Sequence, residues 1–283
     1  MHADLIQHAQ AVGGHVLVRG RYATFLTAAG TGYSAWGDLA LTRWCADPVE
    51  DSDGLLMYLR DLDSGVCWSL GRQPALASVE RYESHFTAGA AELRQIHEGI
   101  EARLDLCMAP DADLELRRVT LRNPGDRPRR IEITSYAEVV INTWAADAAH
   151  PAFSKLFVQT EWATESRALL ARRRPRAPGE ASCWLAHALA GEGGNEQAQP
   201  PQYETDRARF IGRGDSLAAP RALLEKEPLS GTVGNVLDPV VRLRRTVHLA
   251  AGGEVVVTCL LGAAADRATA VELAVRYAPA ARI

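Results

Sequence analysis

The chain has 283 residues, 47% of them hydrophobic, which suffices for a sizeable core in one large domain or two small ones. Its 31 basic and 35 acidic residues give a net charge of −4, which argues against a general nucleic-acid-binding protein because such proteins are usually basic. No apolar run reaches the roughly 18–20 residues of a membrane-spanning helix, which argues against such a segment.

The cysteines and the N-terminus indicate a cellular compartment. The five cysteines are widely scattered, at Cys45, Cys67, Cys107, Cys183 and Cys259. Their odd number and the lack of a C-x-x-C pair argue against a disulfide framework or a zinc site. The start, MHADLIQHAQAVGG, lacks the basic residues and long apolar centre of a signal peptide. We therefore expect buried thiols in a cytoplasmic protein.

The first half of the chain predicts short strands separated by turns. HVLVR (15–19) and YATFLT (22–27) lie close together, and LLMYLRD and GVCWSLG flank the hairpin connection LDS. GIEARLDLCM alternates between apolar and charged residues, which is typical of a half-buried strand. LELRRVTL (114–121) leads through the turn RNPGDRP into RRIEITSYAEVVI, and this pair predicts a hairpin.

The second half continues this pattern with two exceptions. After AADAAHPAF, small residues around a His-Pro pair, further strands are predicted at KLFVQTEW, ALLARR, SCWLAHAL, VVRLRRTVHL and EVVVTCLL. Residues 191–235 are rich in Gly, Pro, Gln and charge, and they predict long loops. From Asp266, apolar residues at helical spacing predict a short C-terminal helix with Asp266 as its N-cap.

Many short strands with frequent turns indicate a mainly β protein, a large antiparallel sandwich or barrel. Strands do not alternate with long amphipathic helices, so a parallel α/β fold is not expected. The acidic residues show no spacing that marks an acid/base pair, and we expect no catalytic residue in this chain. Its histidines stand apart, so we expect no metal site.

Several long segments resemble glycoside hydrolase family 94, formerly glycosyltransferase family 36, and above all the family 94 region of bacterial cyclic β-1,2-glucan synthases. These segments are AAGTGYSAWGDLALTRW, SYAEVV followed by AADAAHPAFSKLFVQTEW, QYETDRARFIGRG and PLSGTVGNVLDPVVRLRRTVHL. The resemblance implies an antiparallel β-supersandwich similar to galactose mutarotase. It divides the chain into an N-terminal extension (1–14), a carbohydrate-binding supersandwich domain (15–264) and the start of a linker helix (265–283).

The resemblance also implies an accessory function. In the family an (α/α)6 barrel supplies the general acid and the phosphate-binding residues, and the matching segments belong to the sandwich alone. We expect a domain that shapes the glucan cleft and is inactive without the barrel. Its expected partners are a β-linked glucan or gluco-oligosaccharide and the barrel, with no nucleic acid, and a homodimer is left open. No cofactor is expected for this chain, and inorganic phosphate is expected only with the full enzyme. The expected location is the cytoplasm, which includes the cytoplasmic part of a membrane-bound synthase. The alternatives are a free-standing carbohydrate-binding module and a mutarotase-like epimerase, which needs a His/Glu pair in the sandwich groove.

Six residues are candidates for carbohydrate binding. Tyr33 and Trp36, in a Gly-rich turn, offer flat faces for stacking on a pyranose, and Asp38 and Arg43 can hydrogen-bond hydroxyls. The alternative is that these four residues pack at the junction between sandwich and barrel. The resemblance places AADAAHPAFSKLF near the barrel and the sugar cleft, which adds His150, part of a His-Pro turn, and Phe153. The charged segment ETDRARFIGRG is either a substrate-facing loop or a salt-bridged surface loop.

Overall fold

A computed structural model describes residues 13–45, 51–75, 77–175, 182–191, 200–225 and 227–278. The first strands in chain order are β1 (Gly14–Arg19), β2 (Tyr22–Thr27), β3 (Gly32–Trp36), β4 (Leu39–Thr42), β5 (Leu56–Asp61), β6 (Cys67–Ser69), β7 (Arg81–Thr87), β8 (Ala90–His97) and β9 (Ile100–Met108). They are followed by β10 (Leu114–Arg122), β11 (Arg129–Thr143), β12 (Val158–Ala163), β13 (Ala168–Arg173), β14 (Trp184–Gly191), β15 (Gln202–Asp206), β16 (Pro239–Leu249) and β17 (Glu254–Ala264). The helices are α1 (Trp144–Ala149), α2 (Pro151–Lys155), α3 (Arg207–Ile211), α4 (Arg221–Leu224) and α5 (Arg267–Tyr277).

The strands form two antiparallel sheets, which confirms the predicted mainly β sandwich. Sheet A has nine strands in the order β1-β2-β3-β4-β11-β16-β15, while β5 also pairs with β11, and β6 pairs with β5. Sheet B has eight strands in the order β12-β13-β14-β17-β10-β9-β8-β7. The long strand β11 is central to sheet A, since β4 and β5 pair with its two halves and β16 pairs along its other edge.

The main hydrophobic core lies between the two sheets, because one face of each central strand is apolar. On β11, Ile131 and Ile133 are fully buried in this core, and on β17 Val257 and Leu261 meet them from sheet B. Successive side chains of a strand point to opposite faces, so the same alternation sends Glu132, Thr134 and Glu138 of β11 to the outer face of sheet A, while Ser135 faces the core.

The predicted hairpin between β10 and β11 is wrong. β10 pairs with β9 and β17 in sheet B, whereas β11 belongs to sheet A, so the turn carries the chain across the core. Its Asn123 N donates to Gly253 O at 2.9 Å, and Gly252 N donates to Gly125 O at 3.1 Å. This turn and the β16–β17 turn therefore brace each other at one end of the sandwich. Alternation shows that a strand has an apolar face, but not which sheet it joins.

Two shorter predictions have different outcomes. β5 and β6 form the predicted hairpin, with Tyr58 opposite Ser69.

The prediction of long loops over 191–235 is wrong in part, because β15, α3 and α4 lie there, while residues 192–199 lie outside the described ranges. Asp206 caps α3 by accepting a hydrogen bond from Ala208 N at 2.9 Å, and Phe210 is fully buried. The polar composition of the segment hides these two local signals.

The predicted C-terminal helix is confirmed as α5. Asp266 Oδ1 accepts a hydrogen bond from Thr269 N at 2.9 Å, as expected of an N-cap. The helix packs on the outer face of sheet B against Leu116 and Leu260. Its buried residues are those that the spacing predicts, Ala270, Leu273, Ala274 and Tyr277. Of the predicted terminal segments, residues 1–12 and 279–283 lie outside the described ranges.

The outer face of sheet A is partly covered as well. Phe210 and Ile211 of α3, with Leu217 and Leu223, pack on Leu56, Tyr58, Tyr136 and Val240 of the sheet. Within the described ranges, no helix combines the length and apolar character needed to cross a bilayer.

Candidate functional site

A break at the end of β11 creates an irregular end of the sandwich. Ile141 has a φ of +47°, and the pairing of β11 with β4 shifts register between Val139 and Asn142. Such a bulge bends a strand and re-aims the residues that follow. The chain then enters α1 with Thr143 as its side-chain N-cap, and Pro151 begins α2. The AADAAHPAF connection is thus two short helices; residues 143–156 are called the α1–α2 end.

Polar contacts anchor α2 to both sheets. Asn142 Nδ2 of β11 donates to Ser154 Oγ at 2.9 Å, and Arg173 Nη1 of β13 donates to Ser154 O at 2.8 Å. His150, between the two helices, is exposed, and the Phe153 side chain is 49% exposed. The α1–α2 end therefore holds these two predicted residues at the surface on a fixed backbone.

An aromatic cluster supports α1 from below. The Tyr33 ring lies 4.9 Å from Trp144, 5.6 Å from Trp44 and 5.4 Å from Phe25, measured between ring centroids. Tyr33 is only 3% exposed, and burial raises its pKa to about 12. In this arrangement Tyr33 offers no ring face to solvent, and its structural role is to position Trp144.

A carboxylate on β11 is the centre of a charged network beside the aromatic cluster. Glu138 Oε1 lies 2.5 Å from Arg207 Nε and accepts a hydrogen bond from the Tyr136 hydroxyl at 3.3 Å. Glu138 Oε2 lies 2.9 Å from Arg43 Nε and 3.9 Å from Lys155 Nζ. One largely buried side chain thus joins β11 to the end of β4, to α2 and to α3.

Two further carboxylates complete the network. Arg43 Nη1 lies 2.7 Å from Asp147 Oδ2 on α1, and Lys155 Nζ forms an ion pair with Asp238 just before β16. The network therefore contains three cationic side chains, Arg43, Lys155 and Arg207. They pair with three carboxylates, Glu138, Asp147 and Asp238. Such a balanced array holds donors and acceptors in fixed positions, which suits hydrogen bonding to a polyhydroxylated ligand or to a polar protein surface.

The protonation states favour binding over acid catalysis at Glu138. Burial opposes its charge, but Arg207, Lys155 and Arg43 outweigh burial and lower the pKa of the carboxyl. A carboxyl held ionised in this way is unsuited to donate a proton near neutral pH. Burial raises the pKa of nearby Asp53, although its contact with a backbone N–H opposes the shift.

Exposed apolar side chains lie around the network. The loop before β16 is held against β12 because Thr160 N donates to Gly234 O at 3.0 Å and Gly234 N donates to Thr160 O at 2.8 Å. Four large apolar residues are exposed here and together form the apolar rim: Phe153 of α2, Leu156 directly after it, and Val233 and Leu237 of this loop. Leu237 is the most exposed of them, at 77%, and a group of exposed apolar side chains of this kind is typical of an interaction surface.

Trp36 and Asp38 lie at the opposite end of β3. Trp36 is 4% exposed, its Nε1 donates to Asp113 Oδ2 at 2.6 Å, and the Arg21 guanidinium lies 3.8 Å from its ring centroid. Its edge lines a pocket of about 590 Å³ between the sandwich and α5. Asp38 is exposed in the β3–β4 turn.

The structure thus separates the six predicted residues into two groups. The Gly-rich stretch is strand β3 rather than a turn, so Tyr33 and Trp36, three residues apart, point to opposite faces of sheet A. Tyr33, Arg43, His150 and Phe153 gather at the α1–α2 end, whereas Trp36 and Asp38 do not. Sugar binding by any of the six stays a prediction.

The sequence pattern did not identify the rest of the network. In the sequence, Glu138 is recognisable only as a polar residue on the outward-facing side of β11. No nearby sequence pattern identifies Asp147, Lys155 or Asp238 as its neighbours. The salt-bridged interpretation of ETDRARFIGRG is confirmed for Arg207, which pairs with Glu138. Only long-range pairing could identify that partner.

Comparison with known sequences places this architecture in a family. Residues 6–280 match the family description "Glycosyl hydrolase 94, supersandwich domain". The cyclic β-(1,2)-glucan synthase NdvB of Rhizobium meliloti is 40% identical over 252 residues, which are 89% of this chain and 9% of that protein. The solabiose phosphorylase of Paenibacillus borealis is 26% identical over 217 residues, 76% of this chain and 27% of that protein. The chain therefore spans only a small part of either relative.

Comparison with solved structures supports the fold alone. A polysaccharide lyase superposes with a TM-score of 0.51 at 11% identity, over 89% of this chain and 34% of that chain. A candidate aldose 1-epimerase of Escherichia coli K12 gives a TM-score of 0.50 at 8% identity, over 89% of this chain and 99% of that chain.

Proposed function

Because this chain belongs to glycoside hydrolase family 94 as its supersandwich domain, we propose that it is the accessory domain of a glycoside phosphorylase or glucan synthase. The α1–α2 end would contact both the catalytic barrel and the sugar chain. The balanced charged network around Glu138, surrounded by the apolar rim, carries this proposal. In a domain that worked alone, an exposed apolar group such as Leu237 would have no partner.

The proposed substrate is a β-1,2-linked glucan, since the 40% identical relative is a cyclic β-(1,2)-glucan synthase. In the complete enzyme, the barrel would provide the proton donor and the phosphate site, while Arg43 and His150 would hydrogen-bond sugar hydroxyls. Phe153 would offer its ring to a pyranose or to the barrel. The proposed location is the cytoplasm, on the inner side of a membrane-bound synthase.

The test is a chimera in which this chain replaces the matching segment of the Rhizobium meliloti synthase. Phosphate-dependent release of glucose 1-phosphate from β-1,2-glucan is measured. The chimera should be active and the isolated chain inactive. Phe153→Ser in the chimera should lower the rate about tenfold, the scale of losing one good contact. Val18→Ser, at an exposed apolar position on β1, is the matched control and should change nothing. Release by the isolated chain, or equal rates for the two variants, would contradict the proposal.

A mutarotase-like epimerase is the second candidate because the fold is similar. That chemistry needs a His/Glu pair in an open groove. His187 is fully buried in the core, and the ion pair of His85 with Glu83, at 3.7 Å, lies on the exposed strand β7. Polarimetry on freshly dissolved sugars separates the two functions, since only an epimerase would accelerate anomer interconversion.

A further inference from the structure

A second concave surface lies on the outer face of sheet B, away from the α1–α2 end. Strands β7, β8, β9, β10 and β17 form its floor, and its volume is about 620 Å³. α5 covers the neighbouring half of the same face, so this groove is the part of the sheet that the helix leaves open. Five arginines and four carboxylates line it, and a fifth carboxylate, Glu92, lies at its edge.

Ion pairs within and between the strands occupy most of these charges. Glu92 at the groove's edge bridges two arginines, with Oε1 2.7 Å from Arg94 Nε and Oε2 2.8 Å from Arg103 Nε. Arg103 Nη2 also lies 2.6 Å from Asp105 Oδ1, and Arg122 Nη1 lies 3.3 Å from Glu101 Oε2. Solvent-exposed pairs of this kind add little stability, but they fix rows of donors and acceptors along the sheet.

Arg118, on the central strand β10, is the guanidinium left over. It lies opposite Asp105 in the pairing of β10 with β9, yet Asp105 Oδ1 is bound by Arg103. Arg118 Nε is buried and has no hydrogen-bond partner among the described residues. On its other side lies Thr258 of β17, which is 1% exposed and whose Oγ1 also has no partner within those ranges. Two polar atoms on neighbouring strands are thus unsatisfied, one on Arg118, which lines the groove, and one on Thr258, which is buried beside it.

Buried polar groups are normally hydrogen-bonded, and buried charges are normally paired. We propose that this groove binds an oligosaccharide with an acidic group, whose carboxylate pairs with Arg118 and whose hydroxyls bind the ion pairs on either side. Arg118, whose Nε has no partner among the described residues, supplies the positive charge that pairs with the ligand's carboxylate.

The chemistry of the groove favours this ligand over two others. A nucleic acid would bring a row of phosphates against four carboxylates, which repel it. A purely apolar or aromatic ligand would find no aromatic side chain among the described lining residues. The choice of a carbohydrate rests on the proposed function, whereas the choice of an anionic group rests on Arg118 alone.

The test uses the whole chain and two β-gluco-oligosaccharides of equal length, one with a single terminal glucuronate and its neutral equivalent. Binding is followed by calorimetry and by amide NMR shifts. The acidic sugar should bind at millimolar concentration with shifts centred on β9, β10 and β17, and more weakly as salt rises. Arg118→Gln should weaken its binding at least about tenfold, the scale of a charge-assisted hydrogen bond, and leave the neutral sugar unchanged.

The control is Arg130→Gln, which removes the same charge from an exposed pair with Asp63 at the start of β11. It should leave binding unchanged. Equal losses for Arg118→Gln and Arg130→Gln would show only a long-range field and overturn the proposal. Equal binding of a non-sugar oligocarboxylate, or no shifts in sheet B, would overturn it as well. None of these results bears on glucose 1-phosphate release by the chimera, so the proposed function is tested separately.

Discussion

Lowering the pH should destabilise this protein through one buried histidine that links the two sheets. His187 on β14 is fully buried in the core. Its Nδ1 lies 2.9 Å from Leu260 O, and its Nε2 lies 2.7 Å from Ser135 Oγ on β11, in the opposite sheet. Because a carbonyl only accepts, Nδ1 must carry the proton, and Nε2 must accept from the serine hydroxyl. The neutral ring therefore satisfies both sheets, whereas a second proton would place a buried positive charge close to Arg117.

The size of the effect follows from the pKa of this imidazole. Burial, with a smaller contribution from Arg117, lowers the pKa of His187 from 6.5 to about 4, although the Leu260 carbonyl opposes the shift. Above the unfolded value, neither state binds the proton, and this group does not affect stability. As the pH falls from 6.5 towards 4, only the unfolded chain takes up the proton. The free energy of unfolding should then fall by about 1.4 kcal/mol per pH unit, to a total of about 3 kcal/mol.

Urea denaturation at several pH values between about 7 and about 4 measures this loss against His187→Gln. The variant should be less stable near neutral pH by about 1–3 kcal/mol, because its amide cannot reproduce both hydrogen bonds. Its stability should fall less steeply with pH, since one titrating group is gone. His248→Gln, at an exposed position of β16, should keep the wild-type slope. If His187→Gln and the wild type lose stability in parallel, the buried neutral imidazole is not the cause.

Three further predictions concern other buried groups. Arg242 is fully buried 4.2 Å from the Phe210 ring with no hydrogen bond from its nitrogens to a described residue, so Arg242→Met should stabilise the chain by about 1–4 kcal/mol in urea denaturation. A loss of stability would mean that the charge is paired. Trp36→Ala should lower the free energy of unfolding by about 3–5 kcal/mol and leave Asp113 Oδ2 without its hydrogen-bond donor. A thermal midpoint equal to that of the wild type would show that Trp36 is not part of the core. Glu138→Gln should lower the free energy of unfolding by about 3 kcal/mol, because Arg43 and Arg207 lose the charge they pair with. High salt should reduce this difference in stability between variant and wild type.

Part of the candidate site could be predicted from the sequence. The residues of AADAAHPAF were expected near a functional surface, and His150 and Phe153 are indeed exposed on two short helices. The sequence offered no signal for the burial of Tyr33. That burial depends on Trp44 and Trp144, which reach it only after β11 and β4 have paired.

Local order along the chain determined the fold class, the strand periodicity and the C-terminal helix. Alternation and capping act between residues a few positions apart, so the apolar face of β11 and the Asp266 cap are visible before folding. Tertiary structure alone decided that β10 and β11 enter different sheets, and that Tyr33 and Trp36 face apart. It also decided that Glu138 meets Arg43 and Arg207. These outcomes depend on contacts between residues far apart in sequence, 95 positions in the Arg43–Glu138 pair and more in the pairing of Leu114 with Gly262. Such contacts form only once each strand has joined its sheet. A local sequence pattern carries no information about which sheet a strand joins.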